Sequence, residues 1–370
     1  MTETTLAAEN PALQALIRQI EDPASGDLFA ALERAKLSET SFRAWLQEMM
    51  GTTNDDEETC AAAAMRMTGP LPPVVEAHLA VRLSPAHLYR LGKARGEKEE
   101  LPFIRAALCR SGNAAALCDA GRDWPSRCYR HQLRDALVRA GNPRFLYIAG
   151  VEWPDDRYDE QIAQALIKSA SPQYLYWAGM NWTSRRYRQE ILKALLATGD
   201  PEYLCWAGAN WDRARYDEAV AEALARTRSG KYLFLAGMTW PEERFTEGLR
   251  DALIASGQAE WLFQAGFWWP DRRYSDEICK ALANVGEAAW LFMAGKLWND
   301  GRYRQAICDA LVAAGEARWL FMAGQEWSDF RYRPDIARAL ARNPNRRWVE
   351  EALQTWPAAR KTALAPSIHP

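Results

Sequence analysis

Histidine is scarce in this chain: four in 370 residues, at His78, His87, His131 and His369, with no HxxxH, HExxH or His–Glu pairing at metal-binding spacing. Neither a zinc enzyme nor a di-iron hydroxylase finds its ligands in that set. Phosphate-binding and nucleophile signatures are missing too, since no GxxxxGK[ST], GxSxG or GxGxxG run occurs. Asp and Glu are plentiful, but carboxylates without a pocket make no acid–base argument. The expectation is therefore a chain that is not an enzyme and carries no catalytic residue, metal or cofactor. Seven cysteines, an odd number with no CxxC pair, argue against a disulfide framework and fit a reducing compartment. No stretch approaches roughly 18 uninterrupted apolar residues, and Met1 to Asn10 has neither a basic nor an apolar targeting segment. A soluble, cytoplasmic protein with no membrane partner is expected. The net charge of −2 gives no global basic field for nucleic acid, although a local stripe stays open.

What the chain has instead is a repeat. An Ala-Gly pair followed three residues later by tryptophan recurs every 29 residues, without insertion or deletion, from Gly121 and Trp124 to Gly324 and Trp327. Eight units stand in strict register. A fixed period of this length marks a supersecondary unit that buries its apolar face only by stacking on its neighbours. In Ser171 to Gly199, Ser171-Pro172 is a helix start, and Leu175, Ala178, Gly179 and Trp182 share one face. The small Ala-Gly pair is expected to let another helix approach closely. A second start falls at Thr183-Ser184, or at Pro154, Pro241 and Pro270 in other copies, opening a longer helix that ends at a left-handed glycine. A rival reading takes Tyr174–Trp177, Tyr232–Leu235 and Trp290–Met293 as buried parallel strands of a strand–helix horseshoe. The alanine-rich copy Asn113–Ala120 favours helices.

The fold expected is all-α, an α-solenoid (superhelix) of helix–turn–helix repeats with an N-terminal helical cap. About ten repeats cover residues 86–364. The first is degenerate, with Arg95 in the tryptophan register, and the last substitutes Leu353 for glycine before Trp356 and Arg360. Residues 1–85 are expected to form an all-helical N-terminal domain, with helices at 12–20, 26–35, 40–50, 60–67 and 73–83 and a polar linker at 51–58; residues 365–370 are expected to be a disordered tail.

The run Ala194-Leu195-x-x-x-Gly199-x-Pro201-x-x-Leu204 resembles the short HEAT-type repeats of α-solenoids, in which Ala-Leu ends one helix and Gly-x-Pro starts the next. The resemblance covers roughly residues 86–364 and implies the solenoid fold. Such solenoids include scaffolds, adaptor subunits and a few nucleic-acid enzymes that handle damaged bases with Trp, Asp and Arg on a concave face. The Trp and Arg-Tyr signature departs from the usual HEAT pattern, so the resemblance stops at the fold.

Four residues after the tryptophan, arginine recurs as Arg157, Arg186, Arg215, Arg244, Arg273, Arg302 and Arg331, broken at Cys128, and an aromatic follows every time. Two readings compete. One is a ladder of guanidiniums on a surface, reading phosphates or carboxylates. The other is internal architecture, with each arginine over a tryptophan face or paired with an acid of the adjacent copy. Positions that vary suit a binding surface better. Arg130, Asp159, Arg188, Asp217, Thr246, Ser275, Arg304 and Arg333 alternate in sign, and the next position is mainly acidic, a mixed face suited to a protein or peptide. Trp177, Trp206 and Trp268 lie off the small-residue face as candidate anchors, and Trp261, Trp290, Trp319 and Trp348 replace the Phe and Tyr of earlier copies. The functional expectation is a scaffold or adaptor that binds a protein or peptide along an extended surface. The alternative is a nucleic-acid-binding solenoid, or a HEAT-like nucleic-acid enzyme.

Overall fold

A computed structural model describes residues 39–51 and 54–364. The helices expected at 12–20 and 26–35, and the tail at 365–370, lie outside the described residues. The chain divides into two compact units, one ending at Ala194 and one beginning at Leu195.

The protein is an all-α solenoid of stacked helix pairs, with no strand among the described residues. The aromatic runs of the rival strand reading lie inside the helices Pro172–Asn181, Gly230–Thr239 and Ala288–Leu297. In the first unit, the first helices of successive pairs, Pro85–Arg95, Ala114–Asp123, Pro143–Glu152 and Pro172–Asn181, pack side by side in one layer. Second helices such as Pro102–Ser111, His131–Ala140 and Glu160–Ser169 form the other layer. The helices Glu57–Arg66 and Pro73–Arg82 pack on the pair that follows them in the same way, beneath Glu39–Met50. In the second unit, five first helices from Pro201–Asn210 to Ala317–Glu326 repeat the arrangement, and Arg346–Thr355 adds a sixth.

Two expectations about the pair are corrected. The second helix is not the longer one: Pro143–Glu152 and Glu160–Ser169 each have 10 residues. Nor does it begin at the proline after the tryptophan. Pro154 heads a turn whose carbonyl accepts from the Arg157 and Tyr158 amides at 3.0 and 3.1 Å, and the N-cap is Asp159, which accepts from the Gln161 amide. That turn carries the repeat arginine back toward the preceding pair. The left-handed stop is as expected at Gly112, Gly141, Gly199, Gly257, Gly286 and Gly315, all with positive φ, while Ala170 and Arg228 take the same conformation without being glycine.

The core is repetitive. Each first helix buries one leucine, from Leu117 to Leu320, and each second helix buries a pair such as Ile162 and Leu166 or Ile278 and Leu282. All repeat tryptophans are buried. Each removes apolar surface worth roughly 4–6 kcal/mol before ordering entropy is subtracted. All seven cysteines are free, and burial pushes the Cys118, Cys205 and Cys308 thiols up to about 12. Glu76 is buried in Pro73–Arg82 and accepts from the amides of Phe103 and Ile104 at 2.7 and 3.1 Å, capping the next second helix.

Candidate functional site

The Ala-Gly pair admits a side chain where a helix was expected. The indole of the next repeat lies on the glycine: Trp240 on Gly208, Trp269 on Gly237, Trp298 on Gly266. Its N–H donates to a carbonyl of the same helix, Trp240 to Cys205 at 2.8 Å and Trp298 to Phe263 at 3.1 Å. In the degenerate first repeat, Arg95 is buried where tryptophan stands elsewhere and donates to the carbonyls of Ala64 and Met67 at 2.8 and 2.7 Å. At the other end Trp356 packs on Gly324, and Leu353, at the next glycine position, is exposed.

The arginine ladder lies between repeats. Arg157, Arg186, Arg244, Arg273, Arg302 and Arg331 are all buried. Each aims its guanidinium at the C-terminal end of the preceding first helix, where carbonyls lack intrahelical donors and the helix dipole is negative. Arg244 donates to Gly208 and Trp211 at 2.8 Å each, Arg273 to Gly237 and Trp240 at 2.6 and 2.7 Å. Arg157 reaches Gly121 at 2.8 Å, Arg186 reaches Gly150 at 2.7 Å, and Arg331 reaches Gly295 at 2.8 Å. The stacking partner is the aromatic of the preceding repeat, not tryptophan: Arg186 over Tyr158 at 4.6 Å, Arg244 over Tyr216 at 4.5 Å, Arg302 over Tyr274 at 4.8 Å. Acids of the preceding copy join at the rim, with Asp271 2.8 Å from Arg302 and Asp300 3.1 Å from Arg331. Arg215 pairs with Asp212 at 3.6 Å. Where Cys128 breaks the series, its thiol donates to the Glu99 carbonyl at 3.2 Å.

The alternating charges also pair along the stack. Arg304 meets Asp276 of the preceding repeat at 3.0 Å, and Arg188 meets Glu160. These pairs are largely solvated and each contributes under about 1 kcal/mol.

The other candidate surface is the solvent face of the first helices. In the second unit it exposes Trp206 (38%), Met238 (42%), Phe267 (37%), Trp268 (56%) and Leu297 (39%). Phe267 and Trp268 meet edge to face at 4.7 Å, and Trp206 meets Tyr203 at 5.2 Å. In the first unit the same face carries exposed Val151 and Met180 around Trp177, which is partly exposed and lies 5.8 Å from Tyr147 and 5.4 Å from Tyr174. Of the candidate residues, the structure thus gathers the three tryptophans on first-helix faces and the buried arginines between repeats. Met238, Phe267 and Leu297 were missed in the sequence. Their signal was an apolar residue one or two places before the repeat tryptophan, at positions that polar residues fill in other copies, such as Asn210 and Gln325.

Among the described residues no group of three or more His, Cys, Asp or Glu gathers at metal-binding distance, and no helix is long and apolar enough to cross a membrane. Comparison with protein-family models, with curated proteins and with solved structures finds no match to this chain.

Proposed function

We propose that the protein is a scaffold or adaptor that binds a protein or peptide through the solvent face of its first helices, by recognition without turnover. The observation that carries this reading is the row of exposed Trp206, Met238, Phe267, Trp268 and Leu297. Exposed apolar side chains of this size are costly to leave in water, Met238 and Phe267, like Trp268 and Leu297, hold equivalent positions in adjacent repeats, and tryptophan is enriched among interface anchors. The nucleic-acid reading relied on the arginine ladder, in which Arg157, Arg186, Arg244, Arg273, Arg302 and Arg331 are buried and already donate to backbone carbonyls. The HEAT-like pattern of the repeat agrees with an adaptor role, and the free thiols agree with a reducing, cytoplasmic setting.

The test compares the wild-type chain with a Phe267→Ser/Trp268→Ser variant as baits, after checking that both melt alike. Proteins retained by the wild type at moderate salt and lost from the variant support the reading. Identical retention by both baits would sink it.

A further inference from the structure

Two columns of tryptophan run through the second unit, and they differ in what their indole N–H groups do. The repeat tryptophans Trp269, Trp298, Trp327 and Trp356 are buried and donate to the carbonyls of Phe234, Phe263, Phe292 and Phe321 at 3.0–3.1 Å. Eight residues before each stands an outer tryptophan: Trp261, Trp290, Trp319 and Trp348. Its ring packs on the same phenylalanine of the preceding repeat, with centroids 5.7, 5.2, 5.4 and 5.1 Å apart, which fixes its position while leaving it partly exposed. The outer indole N–H groups donate to no atom among the described residues, and none is sealed from solvent. They form a row of one rigid donor and one ring per repeat.

The spacing of that row selects among backbone conformations. Adjacent first helices stack with axes about 8–10 Å apart. A β-strand presents the same face every ~6.7 Å and an α-helix every ~5.4 Å, and the carbonyls of an α-helix interior are already taken. A polyproline II segment has three residues per turn at 3.1 Å each, or about 9 Å per turn, and all of its carbonyls are free. It alone matches both the period and the need for acceptors.

Charge along the row gives direction. Glu260 precedes Trp261 and Glu287 lies near Trp290, both exposed; at the other end the guanidiniums of Arg318 and Arg347 lie over Trp319 and Trp348 at 4.9 and 5.5 Å, beside exposed Glu316 and Arg346. We infer that the outer tryptophans of the second unit bind a proline-rich peptide in the polyproline II conformation. It runs across the first helices at one turn per repeat, with basic residues toward Trp261 and acidic residues toward Trp348. Four rings span about nine to twelve residues of such a ligand. This inference rests on the first-helix face being the docking surface.

The test is fluorescence anisotropy of the full chain with two labelled peptides of about twelve residues, built of Pro-Pro-Lys and Pro-Pro-Glu triplets in the two opposite charge orders. A third peptide of the same charges has alanine in place of proline. Saturable binding of one charge order is expected, weakened about five- to tenfold by Trp290→Phe and again by Trp319→Phe, each of which removes one donor. Phe145 occupies this position in an earlier repeat, so these variants should melt like the wild type. Failure of both proline peptides to bind, or binding unchanged in the double variant, overturns the inference. Preference for the alanine peptide also overturns it, yet leaves the docking face standing; that reading falls only if the Phe267→Ser/Trp268→Ser bait retains everything the wild type does.

Discussion

Trp327 fills the space that a Cβ on Gly295 would take: its indole Cζ2 stands 2.0 Å from that position. The ring is buried and held by its own hydrogen bond to Phe292, so it has nowhere to retreat. Gly295→Ala should therefore cost at least about 2 kcal/mol in urea unfolding. Leu353→Gly, at the same repeat position but exposed, should change stability by no more than about 1 kcal/mol. Equal effects at the two sites would refute the account of the glycine.

Arg302 offers a second test of the contact between repeats. Arg302→Ala removes donors to Gly266 and Trp269 and the stack on Tyr274, and should lower stability by about 2–4 kcal/mol. Arg302→Lys keeps the charge but loses the planar fork, and should recover less than half of the loss. Calorimetry or chemical unfolding decides it; a lysine variant as stable as wild type would show that charge alone matters.

The left-handed helix stops predict stabilisation. Ala170 and Arg228 have φ of 48° and 51° at a site where other repeats carry glycine. Ala170→Gly and Arg228→Gly should each stabilise the protein by about 1 kcal/mol, and the two should add, since they lie in different repeats. A fall in melting temperature for either would mean that these loops are held by contacts of the replaced side chain.

Glu76 predicts a pH dependence. Burial pushes its carboxyl from an ordinary 4.5 up to about 8, against the two amides that hydrogen-bond to it. The folded state thus holds a proton that the unfolded state releases. The stabilising contribution is complete below about pH 4.5, declines as pH rises, and is gone above about pH 8. Glu76→Gln keeps an acceptor for Phe103 and Ile104 without the ionisation, so its stability relative to wild type should rise between pH 5 and pH 9. Parallel stability curves for the two proteins would exclude this role.

Much of the architecture was legible in the sequence because it is written many times over. The period placed Leu175, Ala178 and Trp182 on one buried face and a left-handed glycine at the helix end, as at Gly199, since these roles depend on local conformation and one-sided burial. Relations between repeats were harder to read. That Gly266 receives Trp298, and that Arg302 lies over Tyr274, are contacts of 28 to 32 residues' separation whose partners a fixed period leaves ambiguous. The second helix start was misplaced because a proline heads a tight turn as readily as a helix. The exposed face was least legible, since Trp268 and Trp269 are adjacent letters and only the register of the helix end sends one outward and the other into the core.

The tryptophan and arginine contacts between repeats also have a direction in time. Each repeat tryptophan and each buried repeat arginine within a unit reaches back to a carbonyl with a lower residue number, Trp356 and Arg360 included. During synthesis, every such acceptor has therefore left the ribosome before its donor emerges. Each new pair can dock as soon as it is made, on a surface already waiting, and a nascent chain stalled at any repeat boundary lacks none of the partners that its own tryptophan and arginine require.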